Sequence, residues 1–164
     1  MFLYIPTDRL ICMSVVSLGL YDAYWIYRNW RYLKERDGLP IQPFWRGIFG
    51  LFFFHSLLKT IETDDAVNRI QKATFSPGSL AAGWIIVNLL GRALSRGPEP
   101  GTNLVGILIS CSSFAFLLPV QNYINAINEA SVARPPYYEW SPGHIVCLVI
   151  GIVMWSLILA PWIQ

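Results

Sequence analysis

Charge is scarce in this chain. Asp, Glu, Lys and Arg supply 13% of its 164 residues, about half the share of an ordinary soluble domain. The formal net charge is +2 and no long basic stripe occurs, so a nucleic-acid partner is not expected. Cysteine is scarce too. Cys12, Cys111 and Cys147 each lie in an apolar run with no Cys or His at metal-ligand spacing, so neither a metal site nor a disulfide framework is expected. The chain has no Gly-x-Ser-x-Gly, no His-Glu-x-x-His and no glycine-rich phosphate loop followed by Lys. No catalytic residue or cofactor is therefore assigned, and a non-enzyme is the expectation. No basic stretch precedes the first apolar run and no small-residue cleavage site follows it. Residues 10–30 thus read as a retained segment and not a cleaved signal.

Apolar surface is what the chain has in excess. Hydrophobic residues make up 54% of it, and its mean hydropathy is +0.44. A membrane-spanning helix needs about 20 mostly apolar residues. Five segments approach that length: 10–30, 44–61, 80–94, 104–124 and 145–163. The third is short, and whether it crosses fully is left open. The pattern predicts an all-α fold, a polytopic membrane helix bundle of about five hydrophobic segments, forming one integral membrane domain over residues 1–164. Seven Lys and Arg fall on the side holding loops one and three, and five on the other. The excess of cations marks the cytoplasmic side, which puts loops 31–43 and 95–103 in the cytoplasm.

The sequence also hints at duplication. Phe75-Ser76-Pro77-Gly78 recurs as Trp140-Ser141-Pro142-Gly143, each before an apolar run. Phe54–Leu58 aligns with Phe114–Leu118, and Asp65–Asn68 with Asn125–Asn128. These matches predict a parallel internal repeat of 52–94 and 112–159.

Aromatic residues are concentrated. Residues 21–54 hold 12 of the 24 Phe, Trp and Tyr side chains. Tyr and Trp suit the membrane interface, where a ring lies in the apolar edge and its polar atom meets water. Tyr24, Trp25, Tyr27 and Trp30, with Arg28, Arg31 and Lys34, therefore read as an interfacial anchor that can also hold anionic lipid headgroups. The run Gly19-Leu20-Tyr21-Asp22-Ala23-Tyr24-Trp25-Ile26-Tyr27-Arg28-Asn29-Trp30, with Pro43-Phe44-Trp45-Arg46 and a looser stretch at 121–128, resembles a group of uncharacterised bacterial multi-pass membrane proteins. Those proteins carry a Gly-x-Tyr-x-x-Tyr-Trp signature at the end of a first span. The resemblance covers residues 19–46 most closely. It implies a bacterial inner-membrane location and no particular activity.

Ionisable residues inside spans are functional candidates. A hairpin of the first two segments turning near residue 37 would bring Asp22 level with Phe52 and within one turn of His55. That predicts an intramembrane Asp22–His55 pair, either proton-responsive or simply polar glue. Gln121, Asn125 and Asn128 share one helix face at i, i+4 and i+7, as do Asp64, Asn68 and Gln71, with Asp65 beside them. These faces could line a polar vestibule or pack together. The expected function is a non-enzymatic structural, accessory or interaction subunit of the inner membrane. The alternative is a small-solute or ion transporter that uses the polar faces between the repeats. The expected partners are the lipid bilayer, its anionic headgroups or another membrane protein, with the oligomeric state left open.

Overall fold

The computed structural model describes residues 2–97, 100–131 and 142–163. Among them the secondary structure is entirely helical. Helix α1 spans Thr7–Val16 and α2 spans Leu20–Asp37. Between them Leu18 (φ 53°) and Gly19 (φ 81°) adopt the left-handed region. Glycine enters it freely, whereas leucine pays about 1–2 kcal/mol. Gly38, also left-handed, ends α2, as the missing Cβ makes easy after a last helical turn.

Helix α3 (Pro43–Ile48) opens on proline at its first position and α4 covers Gly50–Glu62. A single turn, α5 (Asp65–Asn68), leads to α6 (Pro77–Leu94). Helix α7 (Pro100–Cys111) runs through a 3-10 turn (Ser112–Phe116) into α8 (Leu118–Ser131), and α9 spans Pro142–Ile163.

The core sits around α2. Tyr21, Trp25, Ile26 and Leu33 on α2 meet Phe54, Leu57, Leu58 and Ile61 of α4. Trp84 of α6 and Leu117, Val120 and Ile124 around α8 complete it. Helices α6 and α7 approach backbone to backbone. A methyl group on Gly91 would stand 2.7 Å from the Gly106 carbonyl oxygen, and one on Gly106 would stand 2.6 Å from that of Gly91. Helix α9 packs chiefly on α1 and α2. Its Gly151 lies against the end of α1, where a Cβ would come within 2.9 Å of Ser17 Cα.

Two expectations need correction. Among the described residues, five near-spans become two helical stretches long and apolar enough to cross a membrane, Gly101–Ser131 and Pro142–Ala160. The first expected span breaks at Leu18–Gly19, and the second breaks at Phe49 between α3 and α4. The third is longer than expected, 18 residues from Pro77, or about 27 Å at 1.5 Å per residue. Among the described residues the repeat is not seen as a structural one. Phe54–Leu58 lies inside α4, whereas Phe114–Leu118 straddles the 3-10 turn and α8. Asp65–Asn68 is a separate turn, whereas Asn125–Asn128 lies inside α8. Trp140 and Ser141 fall outside the described residues.

The glycine contact predicts an asymmetry. Gly106→Leu should lower stability by about 1–3 kcal/mol, as overpacking does. Gly101→Leu, where a Cβ meets nothing within 4 Å, should change it by less than about 0.5 kcal/mol. Thermal unfolding of the detergent-extracted protein measures both.

Candidate functional site

Asp22 is 2% exposed, in the first turn of α2. Three donors reach its carboxylate from three other elements. Ser14 Oγ of α1 donates to Oδ1 at 3.0 Å. Trp84 Nε1 of α6 donates to Oδ2 at 3.0 Å, and Ser113 Oγ of the 3-10 turn donates to the same oxygen at 2.5 Å. The Leu18–Gly19 break and the 3-10 turn between α7 and α8 serve this arrangement. The left-handed residues let α1 fold back so that Ser14 stands over Asp22, eight residues further along the chain. Ser17 Oγ then accepts the Tyr21 N–H at 2.9 Å, which satisfies a backbone donor at the start of α2. The expected Asp22–His55 pair does not form. His55 is exposed on α4, and Asp22 is satisfied by hydroxyls and an indole.

The amide face of α8 holds residues 2–5 against the bundle. Gln121 Nε2 donates to the Leu3 carbonyl at 2.9 Å and to Asn125 Oδ1 at 2.7 Å. Its Oε1 accepts Trp25 Nε1 at 2.5 Å. Asn125 takes the Ile5 N–H at 3.3 Å and donates to the Ile5 carbonyl at 2.7 Å. Asn128 donates to the Phe2 carbonyl at 3.1 Å. From α2, Asn29 Oδ1 accepts the Leu3 N–H at 3.4 Å. Phe2 and Ile5 are buried beneath the clamp. At its rim Tyr4 donates to Glu129 at 3.1 Å and Thr7 donates to Asn122 at 2.9 Å. The expectation that these amides line a vestibule or pack on a twin is corrected: they satisfy the backbone of a non-helical segment.

The second polar face does a similar job locally. Asp64 accepts the Ala66 N–H at 3.1 Å as the N-cap of α5 and pairs with Arg36. Asn68 donates to the Glu62 carbonyl at 2.6 Å and accepts the Ala73 N–H at 3.3 Å. Tyr123 Oη of α8 reaches both Asn68 Oδ1 (3.2 Å) and the Gln71 carbonyl (3.0 Å). The Asp65 and Gln71 side chains are exposed. Arg36 binds Asp37 as well, and its guanidinium holds that carboxyl below the usual range.

The interfacial anchor is also redistributed. Trp25 and Trp30 are core residues, 0% and 2% exposed. Tyr24 and Tyr27 are half-buried, and Arg28 donates to Tyr24 Oη at 3.0 Å. Arg31 pairs with Glu35, and Lys34 donates to the Ile41 carbonyl at 2.9 Å. The exposed aromatic face lies one helix later, on Phe44, Trp45, Phe49 and Phe52. Counting aromatics located the region, but helix phase decides which rings face outward. Sequence reading missed His144. It is buried at the start of α9, with Nε2 3.0 Å from Tyr21 Oη. A histidine beside an N-terminal Pro-Gly was the available signal.

Among the described residues no group of three His, Cys, Asp or Glu could hold a metal ion. No protein-family model, curated protein or solved structure matches the chain.

Asp22→Ala should cost about 3 kcal/mol, because it strands buried donors. Asp22→Asn, which keeps an acceptor, should cost less. His55→Ala should stay within about 0.5 kcal/mol. A loss from His55→Ala as large as that from Asp22→Ala would restore the pair. The clamp has its own pH signature. The hydrogen bond to Glu129, with burial and the carboxylate charge adding to it, raises the Tyr4 phenol above its ordinary value. A raised phenol stabilises the clamp fully below the ordinary tyrosine value and loses that contribution as pH rises through the folded one. Amide exchange protection at residues 3 and 5 should therefore fall in alkaline solution, and Tyr4→Phe should remove that pH step.

Proposed function

We propose that this chain is a small multi-pass α-helical protein of the bacterial inner membrane that serves there as a non-enzymatic structural, accessory or interaction subunit. Helix α9 carries the membrane part of the reading. It is apolar all round, and only 11% of its most apolar window is buried inside the fold. Ile145, Val149, Ile152, Val153 and Leu157 all point outward. A helix with that surface needs lipid or protein around it. A core helix of a soluble protein would have most of that window covered. The Gly19–Arg46 resemblance supports the bacterial assignment.

The subunit part rests on where the polar groups go. Asp22, Asn29, Gln121, Asn125 and Asn128 are each occupied by this chain's own hydroxyls, indoles or backbone. Helix α9 and the Phe44–Phe52 face present apolar and aromatic side chains outward, which suits lipid and neighbouring helices.

Membranes from cells expressing the full chain should retain it through alkaline carbonate washing. Val153→Arg, at the middle of α9, should shift it to the soluble or degraded fraction, given a cost of about 2.5–3.5 kcal/mol for arginine at a helix centre. Release of the unaltered chain by carbonate contradicts the membrane reading. Mild-detergent purification as a lone species, with no stoichiometric partner, contradicts the subunit reading.

A further inference from the structure

One half-buried cation stands apart from those at the end of α2. The others at the end of α2 have partners: Arg28 with Tyr24, Arg31 with Glu35, Lys34 with the Ile41 carbonyl and Arg36 with Asp37 and Asp64. Arg46 of α3 is half-buried, and its guanidinium carbon lies 4.2 Å from the centre of the Trp30 ring and 5.1 Å from that of Phe53. Among the described residues its guanidinium has neither a hydrogen bond nor an ion pair. The same Trp30 ring carries a buried Nε1–H with no acceptor. The Trp30 N–H is sealed inside the fold, so the donors left for an outside anion are the N–H groups of Arg46.

The segment that carries Arg46 and Phe53 also exposes apolar side chains. Phe44, Trp45, Ile48, Phe49 and Phe52 are between 49% and 77% exposed, and the Trp45 and Phe49 rings stack at 5.9 Å. Isolated exposed apolar residues need no explanation, but five along one short helix and its continuation do. A guanidinium without an acceptor on the same short segment as such a face fits a ligand with an anionic head and apolar tails. Guanidinium matches phosphate oxygens in a planar, two-point geometry. The nearby carboxylates are committed, Glu35 to Arg31 and Asp37 to Arg36. No acidic group touches Arg46 to receive the ammonium of a zwitterionic headgroup, so the fit is to a headgroup of net negative charge.

We propose that Arg46 is the headgroup contact of an anionic phospholipid whose phosphodiester takes its free N–H groups while the acyl chains lie along the Phe44–Phe52 face. The proposal rests on the membrane reading above. It moves the headgroup contact from the cations of α2, which have partners, to the one on α3 that has none.

The test titrates the full chain in detergent micelles with phosphatidylglycerol, phosphatidylcholine or inorganic phosphate, and counts bound molecules by native mass spectrometry. Phosphatidylglycerol should bind about tenfold more tightly than phosphatidylcholine, and Arg46→Gln should abolish that preference. Phe52→Ser, at the most exposed position of the face, keeps the charge and should weaken both lipids together. Arg92→Gln, an exposed cation on α6, should change nothing. Equal binding of the two lipids, or a preference that survives Arg46→Gln, overturns the proposal. So does inorganic phosphate that binds as tightly as phosphatidylglycerol, which would make the anion a soluble one. If carbonate-washed membranes still retain the chain in those cases, the membrane reading stands and only the lipid site falls. If carbonate releases the chain, both fall.

Discussion

An ionisable group removed from water must be neutralised or surrounded by donors, because its desolvation otherwise costs more than a marginally stable fold can supply. Asp22 imposes that condition at the centre of this molecule. Its donors come from α1, α6 and the 3-10 turn, while the carboxylate itself sits on α2. Four elements must converge on one side chain. The left-handed Leu18–Gly19 step and the interruption between α7 and α8 make that convergence possible. An unbroken first helix would carry Ser14 and Asp22 along its axis, about 12 Å apart at 1.5 Å per residue. The strain at Leu18 is modest beside the cost of an unsatisfied carboxylate, so the kink wins.

The same accounting governs the backbone. Residues 2–5 lie outside any helix, and among the described residues no strand pairs with them, so their N–H and C=O groups need other partners. Gln121, Asn125, Asn128 and Asn29 provide them, each amide offering both a donor and an acceptor. This explains why amides, which are mediocre helix formers, occupy consecutive turns of α8. Their contribution is tertiary and outweighs the local cost. Polar groups are thereby turned inward and apolar ones outward on α9, on α6 and on the Phe44–Phe52 face.

Much of the helical content was legible because it rests on composition and on short-range signals. Pro77 and Pro142 mark helix starts where a missing N–H costs nothing, and the uncharged run of α9 needs no partner to be recognised. The breaks were not legible. Apolar residues flank both Leu18–Gly19 and Phe49, so the hydrophobic pattern runs straight through them. Gly19 alone hinted at the first. Partners were the least legible part. Asp22 looked matched with His55 because a straight hairpin would align them, but that alignment disappears once both helices are broken. Ser113 lies 91 positions from Asp22 in the chain, and serine in an apolar run announces nothing. The amide face of α8 was visible as a pattern, yet its partner is backbone, which leaves no trace in side-chain identity. Aromatic density pointed to the right region but to the wrong rings, because Trp25 and Trp30 face the core while Phe44 and Phe52 face outward.

The central claim is that Asp22 is a structural knot whose donors act together through it. A double-mutant cycle on Asp22→Asn and Ser113→Ala, read as unfolding free energy in detergent or lipid, tests it most directly. Groups sharing one buried hydrogen bond should show a coupling of about 1 kcal/mol or more. A coupling indistinguishable from zero, with the two single changes simply adding, would contradict the account.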